Sequence, residues 1–234
     1  MTTIHTITHR NQRKENQDTY AWATFTADGK TGVLALIADG MGGVANGAQA
    51  SQSAARIYME AVKAGDITDD TLVEAVATAH QQVAGTRGGT TLTLLRLYDG
   101  QYWILQIGDS RAYKIPAGTL EGIQLTEDHS ALNDFKRRGV TITPDIAGRY
   151  ASRITRALGH PKADGHTPDT YTGTYQPGDT FLLCSDGFWH AYEAVGNKLD
   201  ALTEAGLDDL ATRAQAAGEQ DNITALLAST EGLA

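Results

Sequence analysis

Residues 33–43 read VLALIADGMGG, six apolar residues from Val33 to Ala38 that run into Asp39 and then into glycines. A short apolar run closed by Gly predicts a buried strand followed by a sharp turn. The turn leaves Asp39 at the rim of the core, where Gly40, Gly42 and Gly43 let backbone approach whatever the carboxylate holds. A carboxylate in that place is costly unless something pairs with it. Taken alone, an Asp-Gly after a strand equally suits the cap of a helix beginning near Ala45. The arrangement recurs, however. YWILQIGD ends in Asp109, TFLLCSD ends in Asp186, and Asp221 immediately precedes the strand ITALLAS. The ends of neighbouring central strands in sandwiched sheets lie close together, so these carboxylates are expected to converge. Two such charges about 4 Å apart repel by roughly 4 kcal/mol at an effective dielectric near 20, and cations relieve that repulsion. Oxygen donors without His or Cys companions select hard ions, Mg²⁺ or Mn²⁺, over zinc.

Outward from this stretch, TIHTIT and TYAWATF alternate as half-buried strands around the polar segment HRNQRKENQD, which contributes Arg13 and Asp18 as candidates. Helical spacing over 44–63 places Ala54, Ile57, Tyr58, Ala61 and Val62 on one face, and a second helix over 71–83 carries Leu72, Val76 and Ala79. Turn signals between 90–97, 101–107, 111–115 and 121–125 predict antiparallel hairpins. Residues 129–153 read as a polar, irregular excursion with one short helix ending at FKRRG. A strand in DTYTGTY, another in TFLLCSDG, short helices over 188–195 and 207–217, and a last strand in DNITALLAS complete the chain. Nine or ten strands in hairpin order, with helices in pairs between them, define an α+β fold of layered sheets covered by helices. One domain spanning 1–234 is the expected organisation.

With 234 residues and 41% hydrophobic content, the chain is long enough to bury a large core. No apolar run approaches a membrane span, and the first residues lack the apolar core of an export signal, so a cytoplasmic location is expected. The net charge of -9 opposes binding to nucleic acid and to anionic lipid. The lone Cys184 lies inside FLLC and reads as a small buried side chain rather than part of a disulfide framework.

Eight segments, RKENQD (13–18), ADGMGG (38–43), GGTT (88–91), GDSRAY (108–113), LTEDHS (125–130), ITRALG (154–159), CSDG (184–187) and DNIT (221–224), stand in order along the chain. This set resembles the motifs of the bacterial type 2C metal-dependent Ser/Thr protein phosphatases, the PPM family, over nearly the whole sequence. The resemblance implies a four-layer α-β-β-α sandwich of two antiparallel sheets with a binuclear metal centre between them. It implies that Asp39 bridges two Mn²⁺ or Mg²⁺ ions, that the Gly40 carbonyl joins one, and that Asp186 and Asp221 complete the other. Asp109 with Asp186 then holds a weaker third ion, Asp18 orients the attacking water, and Arg13 grips the substrate phosphate. The partners implied are phosphorylated proteins and a Ser/Thr kinase whose action is reversed, with the phosphatase itself a monomer. Residues 132–153, with Lys136, Arg137, Arg138 and Arg149, match the variable flap of such enzymes, to which substrate preference is attributed. Met41 stands where animal relatives have His, so no leaving-group acid is assigned. His129 belongs to a motif with a packing or hydrogen-bonding role as well as a catalytic one open to it, and His160 and His190 are left as surface or structural.

Two other readings compete. GMGGVA after a strand and before a helix fits a dinucleotide-binding fingerprint, but the chain then goes helix to helix, and Asp39 faces the pyrophosphate with like charge. A non-catalytic, phosphatase-like metal-binding regulatory module is the other. Such a module is expected to lack one of the metal carboxylates or Arg13, and none is missing.

Overall fold

The computed structural model describes residues 2–41, 46–160 and 165–233. The expected helix start at Val44, together with Gly42 and Gly43 of the opening turn, lies outside the described residues. The described elements run β1 (Ile4–His9), β2 (Asp18–Ala27), β3 (Lys30–Asp39), α1 (Gly47–Ala64), α2 (Asp69–Gly85), β4 (Leu92–Tyr98), β5 (Gln101–Ile107), β6 (Arg111–Ile115) and β7 (Ile123–Gln124). They continue with α3 (Ala131–Arg137), α4 (Pro144–Tyr150), β8 (Asp169–Thr174), β9 (Thr180–Cys184), α5 (Asp186–Ala194), α6 (Glu204–Ala216) and β10 (Ile223–Ser229). The strands form two five-stranded sheets, ordered β1-β10-β9-β6-β7 and β2-β3-β4-β5-β8. Every strand pair is antiparallel.

The continuous apolar run of β3 has a direct cause, because both of its faces are covered. Leu34 and Leu36 pack with Tyr58, Leu72 and Val76 of the α1–α2 pair. Val33, Ala35 and Ile37 point the other way, against Phe181, Leu183 and Leu226 of the facing sheet. β10 and β9 repeat the pattern in mirror image. Ile223, Ala225, Leu227, Leu182 and Cys184 meet Phe188, Tyr192, Leu207 and Leu210 of α5 and α6, whereas Leu226, Ala228, Phe181 and Leu183 fill the space between the sheets. The result is the expected α-β-β-α sandwich. Complete burial of each such leucine or phenylalanine contributes about 1.5–3 kcal/mol relative to exposure, which fixes the register of every central strand.

The local differences from the sequence reading have identifiable causes. α2 begins at Asp69 rather than Thr71 because the Thr68 side chain accepts from the backbone N–H of Thr71, and Asp69 and Asp70 suit the positive end of the helix. The strand expected over 121–125 shrinks to Ile123–Gln124, an exposed edge. The excursion over 129–153 is more ordered than its polarity suggests. Ser130 and Thr143 cap two helices, α3 and α4, whose Phe135 and Tyr150 rings meet edge-on at 5.1 Å. The hydrophobic period there is too short to register against seven-residue helices.

Candidate active site

The antiparallel register carries the candidate residues to one end of the sandwich. Asp39 closes β3 directly opposite Asp18, which opens β2. Asp186 begins α5 just after β9, and Asp221 stands just before β10, the neighbour of β9. Asp109 occupies the turn between β5 and β6, where Gly108 adopts φ +101°. Arg13, Asp39, Asp109, Asp186 and Asp221 thus line one cavity of about 570 Å³, and Asp18 is buried beside them.

Close backbone approach is built into the two glycines that follow metal-candidate aspartates. A Cβ at Gly40 would stand 2.4 Å from the Gly47 carbonyl oxygen and 2.5 Å from that of Gln17. A Cβ at Gly187 would meet the Asn222 carbonyl oxygen at 2.1 Å. No other residue lets the start of α5 lie against the start of β10, which is what places Asp186 beside Asp221.

Residues without an assigned role in the sequence reading hold these backbones. The Asp39 N–H donates to Thr91 Oγ1 at 2.9 Å, and its carbonyl accepts from Thr90 Oγ1 at 2.9 Å and from the Thr91 N–H at 2.9 Å. Thr91 Oγ1 lies 2.8 Å from Ser110 Oγ, which joins the strand carrying Asp39 to the turn carrying Asp109. Ser185 Oγ donates to Asp18 Oδ2 at 2.9 Å, a bond from one sheet to the other. The Asn222 side chain accepts from the Gln17 N–H and donates to the carbonyls of Arg10 and Glu15, shaping the loop that carries Arg13. Trp189 Nε1 donates to the Asp109 carbonyl at 2.9 Å, and the buried Arg111 guanidinium stacks 3.4 Å above the Trp189 ring. Arg111 is itself gripped by Asp128 through two bonds of 2.8 Å. The arginine that opens the strand RAYKI, and Asp128 in LTEDHS, were the available signals for this pair. Asp186, Trp189 and His190 are three and four residues apart on α5, so one face of the helix presents all of them to the cavity. His190 therefore lines the site, with Nδ1 3.3 Å from Glu219 Oε2.

His129 is structural. Its Nδ1 accepts from the Gly108 N–H at 3.1 Å and its Nε2 lies 3.1 Å from Asp169 Oδ2, so the ring braces the Asp109 turn against β8. Burial holds its pKa below the usual histidine range. Cys184 is buried and its thiol is pushed far up, as expected of a packing residue.

The electrostatics of the site are those of crowded carboxylates. Burial and then the field of Asp18, followed by those of Asp186, Asp109 and Asp221, hold the Asp39 carboxyl well above the usual range. Burial pushes Asp18 up to about 7 despite hydrogen bonds from Thr224 and Ser185. Burial and the neighbouring Asp221 raise Asp186 to about 6. Asp109 is raised well above its ordinary value by burial, then by Asp186 and Asp128. Arg13 is the cation nearest this cluster by bonding, with Nη2 donating to Asp221 Oδ2 at 2.5 Å. The other Asp221 oxygen accepts from the Asn222 N–H at 2.8 Å.

The donor set fits hard divalent cations. Oδ1 of Asp18 and Oδ1 of Asp186 are buried with no hydrogen-bond partner among the described residues, and such oxygens are costly unless satisfied. Among the described residues, no three acidic, histidine or cysteine side chains come close enough as they stand to enclose one ion. The carboxylates share a cavity wall rather than a point, and Arg13 holds Asp221 to one side. Ligation by all of them therefore needs side-chain rotation together with release of that ion pair.

The comparisons with known proteins agree with this architecture. A family profile described as Protein phosphatase 2C matches residues 7–229. The chain is 33% identical over 215 residues to the "Serine/threonine phosphatase stp" of Listeria monocytogenes, covering 83% of each protein. It is 30% identical to the "Protein phosphatase PhpP" of Streptococcus pneumoniae, over 97% of this chain and 96% of the relative. Among solved structures, the Mycobacterium tuberculosis serine/threonine phosphatase PstP/Ppp matches with a TM-score of 0.77 at 29% identity, over 98% of this chain and 99% of that one. The chain belongs to the protein phosphatase 2C family, a family of metal-dependent enzymes, and its enzyme class is protein-serine/threonine phosphatase. Its substrates are accordingly phosphorylated proteins. No helix among the described residues is long and apolar enough to cross a membrane.

Proposed function

We propose that the chain hydrolyses phosphoserine and phosphothreonine on proteins with Mn²⁺ or Mg²⁺ as cofactor, two ions held tightly and a third more weakly. The observation that carries this reading is the gathering of four strand-end aspartates on one cavity wall, with an unpartnered buried oxygen on Asp186 and another on the adjacent Asp18. Asp39, the Gly40 carbonyl, Asp186 and Asp221 would hold the tight pair, and Asp109 with Asp186 the third. Bound divalent cations supply acidified water at neutral pH and offset negative charge on phosphoryl oxygens.

The chain's own groups do the rest. Arg13 stands at the mouth of the cavity, and its planar guanidinium can grip two phosphate oxygens once it leaves Asp221. Asp18, anchored through Oδ2 by Ser185, keeps Oδ1 free to accept a hydrogen bond from the attacking water and so orient it toward phosphorus. α3, through Leu132 and Asn133, and the segment just after α4, through Ala151 and Ser152, wall the cavity, and the two helices act as the flap of a single catalytic unit over 1–234. The enzyme works as a cytoplasmic monomer that reverses a Ser/Thr kinase. Hydrolysis of p-nitrophenyl phosphate that requires Mn²⁺ or Mg²⁺ and stops with EDTA tests the cofactor, and activity after exhaustive chelation would refute it. Phosphopeptide mass spectrometry after deletion of the gene identifies the kinase targets.

A further inference from the structure

One histidine faces the carboxylate cavity without a role. His190 lies one turn beyond Asp186 on α5, and both line the cavity. Residues four apart on a helix are neighbours, with Cβ atoms about 5–6 Å apart, so a carboxylate and an imidazole in these places can converge on one ion. Asp109 is drawn to the same turn of α5, because Trp189, the residue before His190, donates from Nε1 to the Asp109 carbonyl at 2.9 Å. Asp186 acts through its field on Asp109, and His190 acts through its own on Asp186. Three donors from two elements therefore border one end of the cavity.

The imidazole is prepared as a donor. Its Nδ1 stands 3.3 Å from Glu219 Oε2, and an ionised carboxylate only accepts, so the proton is on Nδ1 and the lone pair on Nε2. Among the described residues Nε2 has no hydrogen-bond partner. Glu219 is fixed in turn: its Oε1 accepts from the Gln220 N–H at 2.8 Å and the Asp221 N–H at 2.9 Å, which leaves Oε2 for the ring. A carboxylate behind the distal nitrogen is the usual support of a metal-binding histidine. Asp186 Oδ1, one turn back, is buried and unpartnered. The three donors do not enclose an ion as they stand, and the exposed imidazole is the one with room to swing toward that buried oxygen.

Resting on the metal-dependent phosphatase reading, we propose that His190 is a nitrogen ligand to the weaker third cation, beside Asp109 and Asp186, with Glu219 as the carboxylate that orients it. The consequence is selectivity. Mg²⁺ keeps to oxygen ligands and several waters, whereas first-row transition ions accept imidazole. The third site therefore favours Mn²⁺ over Mg²⁺, while the tight pair, with oxygen donors alone, discriminates little.

The test combines calorimetric titration of the full chain with Mn²⁺ and with Mg²⁺ and pulsed EPR of the Mn²⁺-saturated protein. No histidine is among the donors proposed for the tight pair, so ¹⁴N modulation from a directly bound imidazole reports the third site. The wild type should show that modulation and bind its weak Mn²⁺ more tightly than its weak Mg²⁺. His190→Ala should abolish the modulation and weaken the third Mn²⁺ about tenfold or more, with the two tight ions and the weak Mg²⁺ little changed. Glu219→Gln should keep the modulation and weaken the third Mn²⁺ about tenfold, the lower end of what loss of an outer carboxylate costs. A wild type without imidazole modulation, modulation that survives His190→Ala, or an equal loss of Mn²⁺ and Mg²⁺ in that variant overturns the ligand and leaves the phosphatase reading intact. A wild type that binds only two ions overturns the third site and this inference together. Failure of the Mn²⁺-saturated wild type to hydrolyse a phosphothreonine peptide overturns the phosphatase reading on which both rest.

Discussion

Asp18 and Asp39 stand directly opposite each other at the open end of the β2–β3 pair. Like charges in directly opposed positions destabilise a sheet, and this pair is further crowded by Asp186, Asp109 and Asp221. The sandwich therefore carries a built-in electrostatic cost at one end, and cations binding only the folded state offset it by mass action.

That cost has a definite pH dependence in the cation-free protein. The folded-state pKa values of Asp18, about 7, and Asp186, about 6, lie above the ordinary 3.8 of an aspartate. Groups raised in this way favour the fold below the unfolded value and lose that contribution as pH rises through the folded one. In EDTA the melting temperature should fall between pH 5 and pH 8, by at least about 5 °C for a few kcal/mol in a chain of this size. Millimolar Mn²⁺ should stabilise more at pH 8 than at pH 5 and release protons on binding. A chelated protein that melts higher at pH 8 contradicts the carboxylate crowding.

Asp39→Asn should move stability and activity in opposite directions. Removing one charge from the cluster is expected to stabilise the cation-free protein by about 1 kcal/mol while turnover falls by several orders of magnitude. Asp186→Asn should cost turnover similarly, and the double variant should lose little more, because both residues serve one unit. Thermal melts in EDTA alongside steady-state kinetics check both halves, and additive kinetic losses would mean that the two act separately.

If Asp109 serves the proposed weaker third site, Asp109→Ala should leave the fold and the tight cations in place while reducing turnover strongly. Trp189→Phe keeps the ring beneath Arg111 but removes the Nε1–H that fixes the Asp109 carbonyl at 2.9 Å. A smaller loss of turnover, roughly tenfold, with unchanged tight binding by calorimetry is expected of a positioning residue. Loss of the tight cations in Asp109→Ala would make it a structural turn residue.

Gly187→Ala should cost about 1–3 kcal/mol as an overpacked contact, because the new Cβ lands 2.1 Å from the Asn222 carbonyl oxygen. The same displacement parts Asp186 from Asp221. Calorimetry should then find weaker tight-site Mn²⁺ binding even at temperatures where the variant is fully folded. Wild-type affinity would show that the two aspartates do not share an ion.

The sandwich was legible in the sequence because its central strands are covered on both faces. Val33–Ala38 and FLLC are unbroken apolar runs for that reason, and each ends where the chain turns at a carboxylate. Strand ends could be counted, so the convergence of Asp39, Asp109, Asp186 and Asp221 on one cavity could be expected. The supports could not. Asn222, Thr91, Ser185 and Trp189 act through backbone atoms of residues distant in sequence, and such contacts leave no periodic trace. Arg13 bonded to Asp221 was equally invisible, since a loop arginine shows no partner until the loop is folded. Of the flap helices, α3 was expected from the short pattern ending at FKRRG, whereas α4 escaped because a cap and one aromatic pair, rather than an apolar stripe, hold its seven residues in place.

The central claim is that the carboxylate cluster works by holding cations for phosphoester hydrolysis, and the most direct measurement is phosphate release from a phosphothreonine peptide by exhaustively chelated protein as Mn²⁺ is titrated back. The account predicts no turnover before addition, recovery that saturates with Mn²⁺, and no recovery at any concentration for Asp39→Asn. Turnover by the chelated wild type, or full recovery by Asp39→Asn, would contradict it.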